Sequence, residues 1–351
     1  MKPALRTRIC ELFGVEYPIV QTGMGWVSGA RLTAATSEAG ALGILASATM
    51  TLEQLKTAVH EVKDRTKKPF GVNLRTDQAD IRERIDFMIA EKVRVASFAQ
   101  APSKELVARL KEAKIVTMPT VGARRHAEKV ASWGVDAVIA QGHEGGGHTG
   151  AIPTTLLLPD VAKAVTIPVL GAGGFHDGRG LVAALAYGAS GIAMGTRFLL
   201  TKESTVPDSI KKLYVDTPLT GTVVTKAIDG VPQRVIRTKL IEALEGSTQV
   251  AALARAAVHA FQFRALSDAS MIDLFREGLA MKKSQELTWG QFAMAPNAPM
   301  YTKAGLVDGR PDVGVLPTGQ VVGVINELPS VKELIERIMT EAEETLARLG
   351  A

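Results

Sequence analysis

The chain has 351 residues, 46% of them hydrophobic and 22% charged, with a formal net charge of +5 and a single cysteine, Cys10. That length can bury a large core and hold one large domain with an addition, while one cysteine excludes an internal disulfide and a cysteine-only metal cage, and no metal site is expected. The charge is modest and spread along the chain, and with 5% aromatic residues and no basic block among them, nucleic-acid binding is not expected.

Along the chain, the N-terminal Met1-Lys2-Pro3-Ala4-Leu5-Arg6 leads into no apolar signal region. No run reaches the roughly 18 apolar residues of a membrane span, so a cytoplasmic protein with no membrane partner is expected. Cys10 reads as a small buried apolar residue. Strand-like runs then begin at Pro18-Ile19-Val20-Gln21, Leu42-Gly43-Ile44-Leu45, Phe70-Gly71-Val72-Asn73, Val93–Phe98 and Ile115–Met118. Ala137–Ala140, Pro168–Leu170 and Ile192–Met194 complete the set. Most gaps hold a helix-period segment such as Leu52–Val59, and Gly40, Gly134 and Gly188 stand where a helix must end in a left-handed turn. Short apolar runs alternating with amphipathic helices argue for parallel strands buried on both faces. Eight such units in about 200 residues predict a closed (β/α)8 TIM barrel. A doubly wound open sheet is the alternative, but Gly23-Met24-Gly25-Trp26 after the first strand lacks its dinucleotide fingerprint.

Three glycine-rich turns follow the last strands. Glu144-Gly145-Gly146-Gly147-His148-Thr149-Gly150 places one imidazole in a segment that can approach a ligand closely. A loop histidine bonded to backbone is the plain alternative for His148. The seventh unit turns through Gly171-Ala172-Gly173-Gly174 and the eighth through Gly195-Thr196-Arg197. Backbone N–H groups at such turns, with a helix behind them, suit an anion, and barrels build their phosphate site after strands 7 and 8. After Leu200 the βα rhythm stops. Residues 201–306 read as a mainly helical cap rich in methionine and aromatics: Phe261, Phe263, Met271, Phe275, Met281, Trp289, Phe292, Met294 and Met300. They could shape a pocket roof, or form the cap's own core. The expected division is therefore a barrel of residues 1–200 completed by 307–351, with its final helix at Ser330–Leu349, and a cap of 201–306.

Five motifs in order now carry a resemblance. Gln21-Thr22-Gly23-Met24, Pro69-Phe70-Gly71-Val72-Asn73, Gly146-Gly147-His148-Thr149-Gly150, Ala172-Gly173-Gly174 and Met194-Gly195-Thr196-Arg197-Phe198 resemble the FMN-dependent nitronate monooxygenase family, formerly called 2-nitropropane dioxygenases. That group also contains flavin NADH:quinone reductases and the flavin-type enoyl-acyl-carrier-protein reductase. Within it the likeness leans to FMN-dependent reductases of coenzyme A thioesters derived from steroid rings C and D. Gln21–Val27, Leu42–Met50 and Gly305-Leu306-Val307-Asp308-Gly309 carry that closer likeness.

The resemblance implies that Gly173, Gly174, Gly195 and Thr196 hold the FMN phosphate. It implies that Gly23, Met24 and Asn73 lie along the flavin ring and ribityl chain, with Gln141 and Gly142 beside it and His148 as acid/base. Thr120 departs from members that carry a lysine at the end of strand 5. His143 is an extra histidine, best read as backbone-bonded, and Arg197 is either a ligand contact or part of a buried ion pair. The expected activity is NAD(P)H-linked reduction or oxidation of a carbon–carbon bond beside a thioester or carbonyl. The expected partner is a small-molecule substrate such as a CoA thioester, and a homodimer is compatible with the sequence. Oxidation of alkyl nitronates with O2 is the second reading, and a flavin-free barrel binding a phosphorylated metabolite the third.

Overall fold

The computed structural model describes residues 2–246 and 297–350. Its centre is a closed barrel of parallel strands. They are β1 (Ile19–Gln21), β2 (Leu42–Ala46), β3 (Phe70–Leu74), β4 (Val95–Phe98), β5 (Val116–Val121), β6 (Val138–Gln141), β8 (Val169–Ala172) and β9 (Gly191–Met194). Closure comes from β1 pairing with β9, Val20 opposite Ala193 and Gln21 opposite Met194. An open doubly wound sheet is therefore excluded. Nearly every residue of these strands is buried, as strands with side chains on both a barrel core and a helical layer must be. Val20, Ile44, Val95, Met118, Ile139 and Leu170 fill the interior.

Ile9 and Phe13 of α1 (Arg8–Phe13) join that interior cluster, and Arg94 donates to the Leu12 carbonyl at 2.6 Å. The first helix thus plugs the end where the strands start, leaving the C-terminal mouth for function. Cys10 is buried on this plug, and burial raises its thiol above the ordinary range.

The surrounding helices follow their sequence signals. In α3 (Leu52–Arg65), Leu55, Val59 and Val62 face inward, and Thr51 and Gln54 form a reciprocal cap. Gly40, Gly134 and Gly188 end helices at φ +88°, +87° and +89°, as a left-handed stop requires. The C-terminal helix Val331–Arg348, capped by Ser330 and Glu333, packs on α8 (Gly178–Ala186). Contact is so close that a Cβ on Gly178 would stand 2.3 Å from the Ala342 nitrogen.

The described part of the segment after Leu200 adds two strands to the helices expected of it. It contains α10 (Asp208–Val215), α11 (Lys239–Glu245) and a helix at Asn297–Leu306, but also two strands, β10 (Thr222–Thr225) and β11 (Gln233–Ile236). These pair antiparallel, and β11 then adds the two-residue strand β7 (Gly147–His148) from the glycine loop. Among the described residues no helix is long and apolar enough to cross a membrane.

Candidate active site

The two turns that follow β8 and β9 are built differently. Gly173 and Gly174 take φ +92° and +85°, which side-chain-bearing residues avoid. A Cβ on Gly173 would lie 3.0 Å from the Gly145 nitrogen and 3.2 Å from Gly142 O and Thr154 Oγ1, so this turn is wedged against the His148 loop. Gly195 has an ordinary φ of −103°, and a Cβ there would approach Thr22 Oγ1 at 3.2 Å and Met24 Sδ at 3.4 Å. The N–H groups of Gly174 and Gly195 donate to no acceptor among the described residues. Unpaired donors on glycine at strand ends are what a phosphate needs. Thr196 adds a hydroxyl that accepts from the Gly319 N–H at 2.8 Å. The residues present therefore fit a phosphorylated flavin.

Gly23, Met24, Asn73, Gln141 and Gly142 lie at or just after the C-terminal ends of β1, β3 and β6, so they share the mouth with those turns. Gly23 lies directly on Asn73, whose Cβ would be 2.4 Å from an added Cβ. Asn73 is buried, with its side-chain Nδ2 3.4 Å from Ser97 Oγ and its backbone carbonyl accepting from Ser47 Oγ. Gly142 backs onto Thr154, where a Cβ would stand 2.0 Å from Oγ1. Gln141 donates through Nε2 to the His148 carbonyl at 2.8 Å, so its side chain holds the glycine loop. Thr120 is half-buried in β5.

His148 is the exposed group here, its side chain 56% accessible, yet one ring nitrogen is anchored. Nε2 lies 2.8 Å from Oδ2 of Asp229, a carboxylate that is only 7% accessible. The same oxygen accepts from Gln233 Nε2 at 2.7 Å, and Oδ1 accepts from the Val231 N–H at 3.1 Å. Burial alone would raise the Asp229 carboxyl. The His148 hydrogen bond and charge, with Gln233 and Val231, outweigh it and hold the group below the usual carboxylate range. Sequence reasoning missed Asp229, Gln233 and this strand pairing. A signal existed: the Asp229-Gly230 turn pair lies between the β-branched run Thr222–Thr225 and the mixed run Gln233–Ile236.

Neighbouring side chains secure the loop. Arg234, on β11, is buried and donates twice to the His143 carbonyl, at 3.1 and 3.2 Å, and to Thr222 Oγ1 at 3.0 Å. Glu144 accepts from the Thr154 N–H and hydroxyl at the start of α7 (Thr154–Ala164). His143 Nδ1 lies 2.7 Å from the Gly150 carbonyl, the backbone-bonded arrangement expected of it. Arg197 is 2% exposed and donates to the Leu200 and Glu327 carbonyls, with the Glu327 carboxylate 3.9 Å away. Burial lowers its pKa to about 10. Arg197 is thus a fixed structural cation. Trp26 has φ +66°, a costly backbone for an aromatic residue, and its indole N–H donates to the Pro299 carbonyl at 3.2 Å. It ties the β1 loop to the helix Asn297–Leu306. Of the cluster expected to line a pocket, Met300 is half-buried on that helix, and Phe261, Phe263, Met271, Phe275, Met281, Trp289, Phe292 and Met294 lie outside the described residues.

A barrel with a glycine-loop histidine and paired glycine turns matches one family along almost its whole length. The nitronate monooxygenase pattern covers residues 6–88 and 79–341. The chain belongs to the nitronate monooxygenase family. It is accordingly a flavin-dependent oxidoreductase. A curated relative, the (3aS,4S,5R,7aS)-5-hydroxy-7a-methyl-1-oxo-octahydro-1H-indene-4-carboxyl-CoA dehydrogenase of Mycobacterium tuberculosis, is 58% identical over 341 residues, 96% of each chain. Among solved structures, FabK from Thermotoga maritima superposes with a TM-score of 0.79 at 34% identity over 98% of both chains. A nitroalkane oxidase from Streptomyces ansochromogenes gives 0.73 at 28% identity, over 97% of this chain and 99% of its own.

Proposed function

We propose that the protein is an FMN-dependent, NAD(P)H-linked enzyme that oxidises or reduces a carbon–carbon bond next to the carbonyl of a CoA thioester. The substrate class is the steroid-derived ring C/D acyl-CoA. The observation that carries this reading is the gathering of His148 and the Gly173, Gly174 and Gly195 turns at one mouth, in a chain 58% identical to an indene-carboxyl-CoA dehydrogenase. Gly173, Gly174, Gly195 and Thr196 would hold the FMN phosphate, and Gly23, Met24, Asn73, Gln141 and Gly142 would line the flavin. Bound FMN would supply the hydride acceptor and donor. The chain's own contribution is proton transfer. The hydrogen on a carbon beside a thioester carbonyl is acidic, and His148, exposed on a loop held by Gln141 and Arg234, can remove or return it. Residues 201–306 would form the roof over the acyl chain, tied down by Trp26 and by the β11–β7 pairing.

Anaerobic reduction of the purified yellow protein tests the assignment. The thioester and NAD(P)H should exchange electrons with the flavin, and a nitronate should not. Bleaching by an alkyl nitronate alone would install the monooxygenase reading. A colourless protein that takes up no FMN would refute both.

A further inference from the structure

His148 and Asp229 come from opposite sides of the insertion boundary, 81 residues apart, yet they meet through a geometry that is fully specified. Strand β7 carries His148 opposite Gln233 of β11, and the Thr149 N–H donates to the Pro232 carbonyl at 3.1 Å. That register brings Asp229 of the β10–β11 connection to the imidazole edge. Among the described residues every hydrogen-bond partner of the carboxylate is a donor: the Gln233 amide, the Val231 N–H and the ring nitrogen of His148. None of them could accept a proton from a carboxylic acid except the imidazole itself.

From this geometry we infer that Asp229 is the positioning residue of the site: it fixes His148 as the Nε2–H tautomer and leaves Nδ1 as the nitrogen that exchanges a proton with substrate. The inference rests on the acid/base reading of His148 given above. An ionised carboxylate can only accept, so the nitrogen 2.8 Å away must be the donor. Nδ1 has no hydrogen-bonding partner among the described residues, and the side chain is more than half exposed. The anchored end of the ring is therefore the buried one and the free end the open one. When Nδ1 takes a proton, the electron pair of the broken bond stays on the substrate. The ring becomes an imidazolium whose second N–H remains on Asp229, and that charge forms beside a carboxylate already in place. The insertion thus supplies the group that holds the catalytic base.

The experiment is nitrogen NMR of protein labelled with 15N-histidine, with His148 assigned by difference from His148→Gln. Wild type, at a pH where the ring is neutral, should show protonated Nε2 and unprotonated Nδ1. In Asp229→Asn the oxygen stays on the Val231 N–H and the Gln233 amide turns to present its oxygen, so the new NH2 faces Nε2, makes it accept and moves the proton to Nδ1. Turnover of that variant should fall by about 10²–10⁴-fold with KM little changed, and the double variant with His148→Ala should lose no more. Asp229→Glu should recover part of the rate. A wild-type Nδ1–H tautomer overturns the inference, and that spectrum decides it even if Asp229→Asn fails to fold. Full turnover by Asp229→Asn with the proton moved to Nδ1 also overturns it. Full turnover by His148→Gln, in contrast, removes the acid/base reading itself.

Discussion

Replacing Gly173 and Gly195, the glycines proposed to hold phosphate, by valine should give two different proteins. At Gly195 the backbone is already in a region open to any residue, and the atoms a Cβ meets, Thr22 Oγ1 and Met24 Sδ, are side-chain ends that can move. Gly195→Val should therefore cost only overpacking, about 1–3 kcal/mol. At Gly173 the φ of +92° adds strain of about 1–3 kcal/mol, and the contacts are the Gly145 nitrogen and Gly142 oxygen, which are backbone and cannot yield. Gly173→Val should cost about 2–6 kcal/mol in total, the sum of strain and overpacking. The flavin effect is separable. A backbone N–H on a phosphate is a charge-assisted bond of about 1.5–3 kcal/mol, so screening the Gly195 N–H should weaken FMN by about 10- to 150-fold. Equilibrium dialysis against FMN and calorimetric melting measure the two quantities independently. Gly195→Val should come out pale but folded, and Gly173→Val pale and markedly less stable. Wild-type FMN affinity in a folded Gly195→Val would refute the phosphate assignment.

His148→Ala should slow turnover by about 10²–10⁴-fold while flavin content stays near that of wild type; loss of FMN on purification would contradict a substrate-facing role. The same change also removes one of three donors to buried Asp229, so the melting temperature should drop modestly, checked by calorimetry. Arg197→Leu should destabilise the fold, because the Leu200 and Glu327 carbonyls lose their donor, yet KM for a thioester should hold in whatever protein folds. A raised KM at unchanged stability would restore Arg197 as a ligand contact. Asp229 sits below the usual carboxylate range, so its stabilisation is complete above its unfolded pKa of about 4 and is lost as pH falls through the lower folded value. Melting curves of wild type and Asp229→Asn should therefore converge on acidification, and a gap that stays constant through the acid range would contradict this.

The barrel was readable because each of its strands is an apolar run bounded by a polar helix, and such runs have few other places to go. Predicted and observed strands agree to within a few residues, the differences falling at ends such as Val93 and Val121, where the ladder rather than the composition decides. Glycine-rich loops were equally visible, since Gly173 and Gly174 adopt backbone conformations that select glycine. The second sheet was only faintly marked, by the Asp229-Gly230 pair after Thr222–Thr225. Gly147-His148 has no strand propensity and pairs only because β11 lies beside it, and Gln233-Arg234-Val235-Ile236 carries polar residues that turn inward to Asp229 and His143. Asp229 escaped for the same reason. A lone aspartate in a turn looks solvated until the fold brings a donor from 81 residues away.

The three-stranded sheet of β10, β11 and β7 bears on how new specificities could be engineered in this scaffold. The proposed roof of residues 201–306 invites exchange between relatives as a detachable module. Here the seam does not run along the chain junction, because one strand of the module's sheet is donated by the barrel and the module returns Asp229 to that strand's histidine. A chimera cut at Leu200 and Leu306 alone would separate His148 from the partner it is registered with. The smallest transferable unit is discontinuous: the insertion together with the loop from His143 to Gly150.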